Sequence, residues 1–195
     1  MTYASERPRA AAPSGAVATT AGVLALCAGL LNLWGAATVL SALRGEQHID
    51  KSLAVFSILG ALLVAAAFGY GAVLLLRRDE TGRYLLILTS GLLTAVALVA
   101  LACSLTDYRP DYGVDWLPAE SHSLEAVNGF FNGLVGSLTA LLHREWLAAS
   151  TAAVLPLAVF LAASSGYTAR WIAYTPPRSY AESLYARASS EQSEI

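Results

Sequence analysis

The sequence predicts an all-helical, polytopic membrane protein with four transmembrane helices and one additional amphipathic helix in an outer loop. Two observations carry this reading. The 195 residues are 56% hydrophobic and only 13% charged, about half the roughly 25% charge of a soluble domain, and the mean hydropathy is +0.54. A water-soluble sphere of this composition would expose apolar patches of a size that soluble monomers rarely show. The apolar residues also gather into four runs, each meeting the roughly 20 helical residues needed to cross a hydrocarbon core of about 30 Å. Backbone polar groups are satisfied in lipid only by helices or closed barrels, and these runs lack the alternation of barrel strands. The net charge of -2 and pI near 5.9 leave no basic excess for phosphates, which excludes nucleic acid as a partner.

Residues 1–14, rich in Pro, Ala and Arg, form no core pattern and are expected to be a disordered cytoplasmic tail ahead of a membrane domain over 15–173. The first span, about 17–43, contains no charge. Arg7 and Arg9 precede it as they would a secretory signal, but the run is too long for a signal's apolar region. Leu24-Ala25-Leu26-Cys27 fails as a lipidation site, because the residue before a modified cysteine should be small and Leu26 is not. The second span covers about 53–76 and the third about 84–105; the fourth, about 147–169, contains Pro156, where a kink is expected. Cys27 and Cys103 lie at depths that differ by roughly 13 Å at about 1.5 Å per residue, beyond disulfide reach.

Orientation follows from the basic residues, which are retained on the cytoplasmic side. With four spans, Arg7, Arg9, Arg77, Arg78, Arg83, Arg170, Arg178 and Arg187 share one side, and Arg44, Lys51, Arg109 and Arg144 the other. Both termini are therefore expected in the cytoplasm and the chain in an inner cell membrane, with Arg77, Arg78 and Arg83 in the second loop as the main topology anchors.

The spans hold no ionisable residue, the usual mark of an ion or proton path. Their most polar side chain is Asn32, accompanied by scattered hydroxyls such as Thr38, Ser57, Ser90, Thr94 and Thr151. A buried amide in lipid seeks a partner, so Asn32 is expected to join helices. Small residues four apart, Ala25 with Gly29, Ala65 with Gly69, Ala67 with Gly71 and Gly91 with Ala95, allow close helix approach.

The outer loop, 106–146, opens with Asp107, Asp111 and Asp115, each followed by an aromatic. On a helix these carboxylates would line up toward a hard cation, but Pro110 and Gly113 oppose that helix, so no metal or cofactor is expected. Neither His122 nor Glu120 stands at a spacing that restores the metal site.

Over 124–143 the periodicity is helical, with Leu124, Val127, Phe130, Phe131, Leu134, Val135, Leu138, Leu141 and Leu142 on one apolar arc. Glu125, Asn128, Asn132 and His143 form a polar stripe with Thr139, and Gly129, Gly133, Gly136 and Ala140 a small-residue face suited to another helix. Such a three-faced segment is expected at the outer surface or packed on the bundle. As a fifth span it would erase the charge bias.

Residues 174–195, rich in Ser, Glu and Tyr after Pro176-Pro177, are expected to be a disordered cytoplasmic tail. Functionally, the pattern points to a non-catalytic accessory or scaffolding subunit of a membrane or cell-envelope complex. Its partners would be the lipid bilayer and another membrane protein or a second copy, through Asn32, Gly129, Gly133 and Gly136. The alternatives are a small oligomeric transporter or channel lined by Asn32 and the span hydroxyls, and an outer-leaflet enzyme using the polar stripe. No nucleophile motif or phosphate loop accompanies that stripe.

Overall fold

The computed structural model describes residues 14–44, 51–106 and 122–174. Their elements, in chain order, are α1 Ala16–Arg44, α2 Lys51–Leu76, α3 Glu80–Leu105, α4 His122–Phe131, α5 Gly133–His143, α6 Trp146–Ser164 and α7 Gly166–Ala173, with no strand among the described residues. Four of them, α1, α2, α3 and α6, are long and apolar enough to cross a membrane. Most of the two tails, the Asp107–Trp116 segment and Glu120 lie outside the described residues.

Small side chains face inward and large ones outward, the reverse of a water-soluble bundle. Ala21, Ala25, Ala72 and Ala163 line the main core around Phe68, Leu75, Leu86, Leu93 and Val159. Leu30, Trp34, Phe56, Leu63, Leu88 and Leu105 are each more than 60% exposed. With lipid as solvent there is no hydrophobic gain from hiding large side chains, and close van der Waals contact between small ones holds the helices instead. The α1–α2 seam illustrates this, since a Cβ at Gly29 would stand 3.3 Å from the Ala65 carbonyl. The α2–α3 seam is tighter: a Cβ at Gly82 would lie 2.6 Å from the Leu74 Cβ and 2.7 Å from the Gly71 carbonyl.

The fourth span is shorter than the sequence suggests. α6 runs through the buried Pro156 but stops at Ser164, and α7 restarts after Ser165. Ser165 takes an extended ψ of 144° and caps α7, its Oγ accepting the Thr168 N–H at 3.3 Å, while the Thr168 hydroxyl donates back to the Ala162 carbonyl at 2.8 Å. Arg83 closes the same helix end by donating from Nε to the Ala163 carbonyl at 3.0 Å and from Nη2 to the Ser164 carbonyl at 3.4 Å. Basic side chains commonly satisfy terminal carbonyls in this way.

The α2–α3 turn passes through Arg78 at φ 63° into Asp79, the N-cap of α3, whose carboxylate accepts the Thr81 N–H at 2.8 Å. Hydrogen bonds from the Thr81 side chain and then its backbone hold the Asp79 carboxyl below the usual carboxylate value. A depressed folded-state pKa contributes stability that is present above the ordinary value and fades as the pH falls through the lower one. Acidification below about pH 4 is therefore expected to fray the first turn of α3, visible as faster amide exchange at Thr81 and Gly82, whereas Asp79→Asn exchange at those amides should not respond to pH in that window beyond the intrinsic rate.

Candidate functional site

The segment 122–143 is not one helix but two, broken at Asn132. Asn132 has φ -104° and ψ 6°, and Gly133 takes φ +53°, a left-handed conformation that favours glycine. The bend folds α5 back on α4 so closely that a Cβ at Gly136 would lie 2.7 Å from the carbonyls of both Asn128 and Gly129. In a continuous helix Gly129 and Gly136 would be two turns, about 10 Å, apart. The pair is thus a helical hairpin rather than the single helix, at the outer surface or packed on the bundle, expected over 124–143.

This hairpin is lodged in the bundle with its tip on α1. Asn32, seventeenth of the 29 residues of α1, is 2% exposed. Its Oδ1 accepts the Leu134 N–H at 3.0 Å, and its Nδ2 donates to the Ala28 carbonyl at 2.8 Å. The Leu134 amide is one of the first-turn donors that a helix cannot satisfy internally, so the asparagine amide caps α5 from another helix. Six residues further along α1, the Thr38 hydroxyl donates to the Asn132 Oδ1 at 3.2 Å and to the Gly35 carbonyl at 2.7 Å, while Asn132 Nδ2 donates to the Asn128 carbonyl at 2.9 Å. Gly35 faces the Asn132 carbonyl with no room for a Cβ. On the other side Leu134 reaches Gly60 of α2, where a Cβ would stand 3.0 Å from its Cδ2.

From this tip α5 rises toward the end of the bundle that carries Arg44 and Trp146, packing on α1, α2, α3 and α6. No residue from Asn132 to His143 is exposed. Val135 joins Ala36, Val39, Ala54 and Ala61, and Ala140 joins Ala100, Ala148 and Ala149. The buried hydroxyls of Ser137 and Thr139 donate to the Gly133 and Val135 carbonyls of their own helix. α4 instead lies on α6: Gly129 packs on Ala148, and the Thr151 hydroxyl donates to the Ala126 carbonyl at 2.9 Å. Its apolar residues Leu124, Val127 and Phe131 remain nearly half exposed.

The polar stripe does not assemble into one site. Asn132 is turned to α1, whereas His143 stands at the far end of α5, on the order of 16 Å away at about 1.5 Å per residue, with its Nδ1 3.6 Å from Glu145 Oε1. Glu125 pairs with His122 at 3.3 Å, and Asn128 gives its carbonyl to the Asn132 side chain and backbone. Among the described residues no group of three His, Cys, Asp or Glu side chains is placed to hold a metal. Of the anchor arginines, Arg83 caps α6, Arg78 lies over the Trp171 ring at 4.7 Å, and Arg77 is exposed.

Gly35 and the break itself escape a reading based on periodicity. Asn132-Gly133 is an Asn-Gly pair and Ser165-Gly166 a Ser-Gly pair, both turn-forming dipeptides, and those were the available signals. The fold and this interior hairpin define a helical bundle of four apolar long helices, the class of a membrane protein. The chain matches no family model, no curated protein and no solved structure.

Proposed function

We propose that this is a non-catalytic multi-pass protein of an inner cell membrane, with both termini cytoplasmic, serving as an accessory or scaffolding subunit of a membrane or cell-envelope assembly. One observation supports this best: the polar side chains inside the bundle are spent within it, on its own helices. Asn32, Thr38 and Asn132 fix the hairpin, and Ser57, Ser90, Thr94, Ser137 and Thr139 donate to carbonyls of their own helices. What the long helices offer outward is apolar surface, suited to lipid and to other membrane helices.

A second reading, a small oligomeric transporter or channel, draws on the hairpin tip. Broken backbone at membrane depth is tolerated where it is buried in protein or lines a cavity, and discontinuous helices often mark transport sites. Here the Asn132 and Leu134 amides and the side chains of Asn32 and Asn132 are already engaged within the bundle, which favours a structural tip. An enzyme is the least supported reading, because Glu125, Asn132 and His143 do not converge.

The test is capture from native membranes through a tag on the last residue. A membrane protein in fixed ratio, which when tagged recovers this chain in return, is the expected result. A clean monomer that carries solute flux in liposomes, lost in Asn32→Leu, would replace the scaffolding reading with the transport one.

A further inference from the structure

One end of the bundle gathers guanidinium groups that have no acidic partner among the described residues. Arg77, Arg78 and Arg83 lie at the α2–α3 turn, and Arg170 lies on α7, which the Arg78–Trp171 contact ties to that turn. Arg83 is committed to the α6 carbonyls. Among the described residues none of Arg77, Arg78 and Arg170 makes an ion pair, although Asp79 and Glu80 stand beside two of them. Asp79 is turned to the Thr81 amide as a helix cap, and Glu80 is exposed.

Arg78 is also held in place. The Trp171 ring beneath it is wedged against Gly15, where a Cβ would lie within 3.0 Å of the indole Cδ1. A cation over an indole face is attracted by the ring quadrupole, more so as water is removed. Tyr84 and Tyr167, 58% and 67% exposed, sit at the same end, at the level where aromatic side chains meet headgroups. Cations restrained beside exposed aromatics, at the end of four apolar helices, match an anionic phosphodiester at the membrane surface in both charge and depth.

We propose that the Arg77, Arg78 and Arg170 end binds the headgroup of an anionic phospholipid, with Trp171 holding Arg78 in position for its phosphate. The proposal rests on the chain being a membrane protein and not on its scaffolding role, so failure to capture a protein partner leaves it standing.

The probe is phosphatidylglycerol, with phosphatidylcholine for comparison, retained by the purified full-length chain in native mass spectrometry. Each arginine near an anionic surface contributes about fivefold in binding, so Arg77→Gln/Arg78→Gln/Arg170→Gln is expected to lower phosphatidylglycerol retention on the order of a hundredfold. Arg44→Gln, at the opposite end, should leave it unchanged. Because loss of three arginines also removes topology anchors, Trp171→Leu provides the second arm: it keeps every charge, and retention is expected to fall about threefold or more as Arg78 is released. Equal retention of the two lipids by the parent protein, equal losses from Arg44→Gln and the triple change, or parental retention in Trp171→Leu would each overturn the proposal. So would displacement of the lipid by about 10 mM inorganic phosphate, at whose ionic strength screening alone reaches only beyond about 20 Å, which would mark a soluble-anion site instead.

Discussion

Asn32→Ala is expected to destabilise the protein by about 2 to 3 kcal/mol and to loosen α4 and α5 while the long helices stay inserted. The amide of Asn32 makes two hydrogen bonds, to the Leu134 N–H and the Ala28 carbonyl. Alanine removes both and strands the Leu134 donor in an interior without water, where an unsatisfied group costs about 1 to 3 kcal/mol. Measured interhelical hydrogen bonds in membranes are worth about 0.6 to 2 kcal/mol; the one bond from α5 to Asn32, with the donor its loss leaves stranded, lies at or just above the top of that class. Thr38→Val should cost less, about 1 kcal/mol, because its bond to Asn132 is longer, 3.2 Å, and the hydroxyl divides itself with Gly35. Reversible unfolding in mixed micelles measures both. Chymotrypsin cleavage at Phe130 or Phe131 should appear in Asn32→Ala, and parental stability with no new cleavage would contradict the tip contact.

Gly82→Ala and Gly69→Ala should shift stability in opposite directions. Both glycines lie in helices, where alanine gains up to about 1 kcal/mol by propensity alone. At Gly69 a Cβ meets nothing within 4 Å, so the gain is expected in full or in part. At Gly82 the Cβ would run into the Leu75 backbone nitrogen, the Gly71 carbonyl and the Leu74 Cβ. Backbone cannot swing aside as a side chain does, so α2 and α3 must separate. Overpacking of this kind costs about 1 to 3 kcal/mol and occasionally more, which exceeds the propensity gain; a net loss of about 2 kcal/mol is expected. The same micelle unfolding decides it, and two changes of one sign would mean that the α2–α3 backbones are not in contact.

The long helices were legible in the sequence because one physical quantity, the length of an apolar run, fixes them almost alone. Expected and observed boundaries differ by four residues or fewer for α1, α2 and α3. The hairpin was not legible in the same way. A helical wheel over 124–143 assigns Asn132 and Gly133 to ordinary faces, because it presumes the continuous helix that these two residues interrupt. The wheel also places Thr139 on the polar stripe, whereas it is buried with its hydroxyl turned onto its own backbone. Asn32 could be singled out as a joining residue from its isolation in an apolar run. Its partner could not, since Leu134 contributes a backbone amide 102 positions away and carries no mark of that role in its side chain.

The place of α5 in the chain also dictates the order in which the protein is made. α5 packs on α1, α2, α3 and α6, yet α6 is synthesised after it and begins only three residues beyond His143. A nascent chain that ends at His143 has no finished cavity to receive α5, whose seat is complete only when α6 is in place. The last step of assembly is therefore the closing of α6 over a segment that precedes it in the chain.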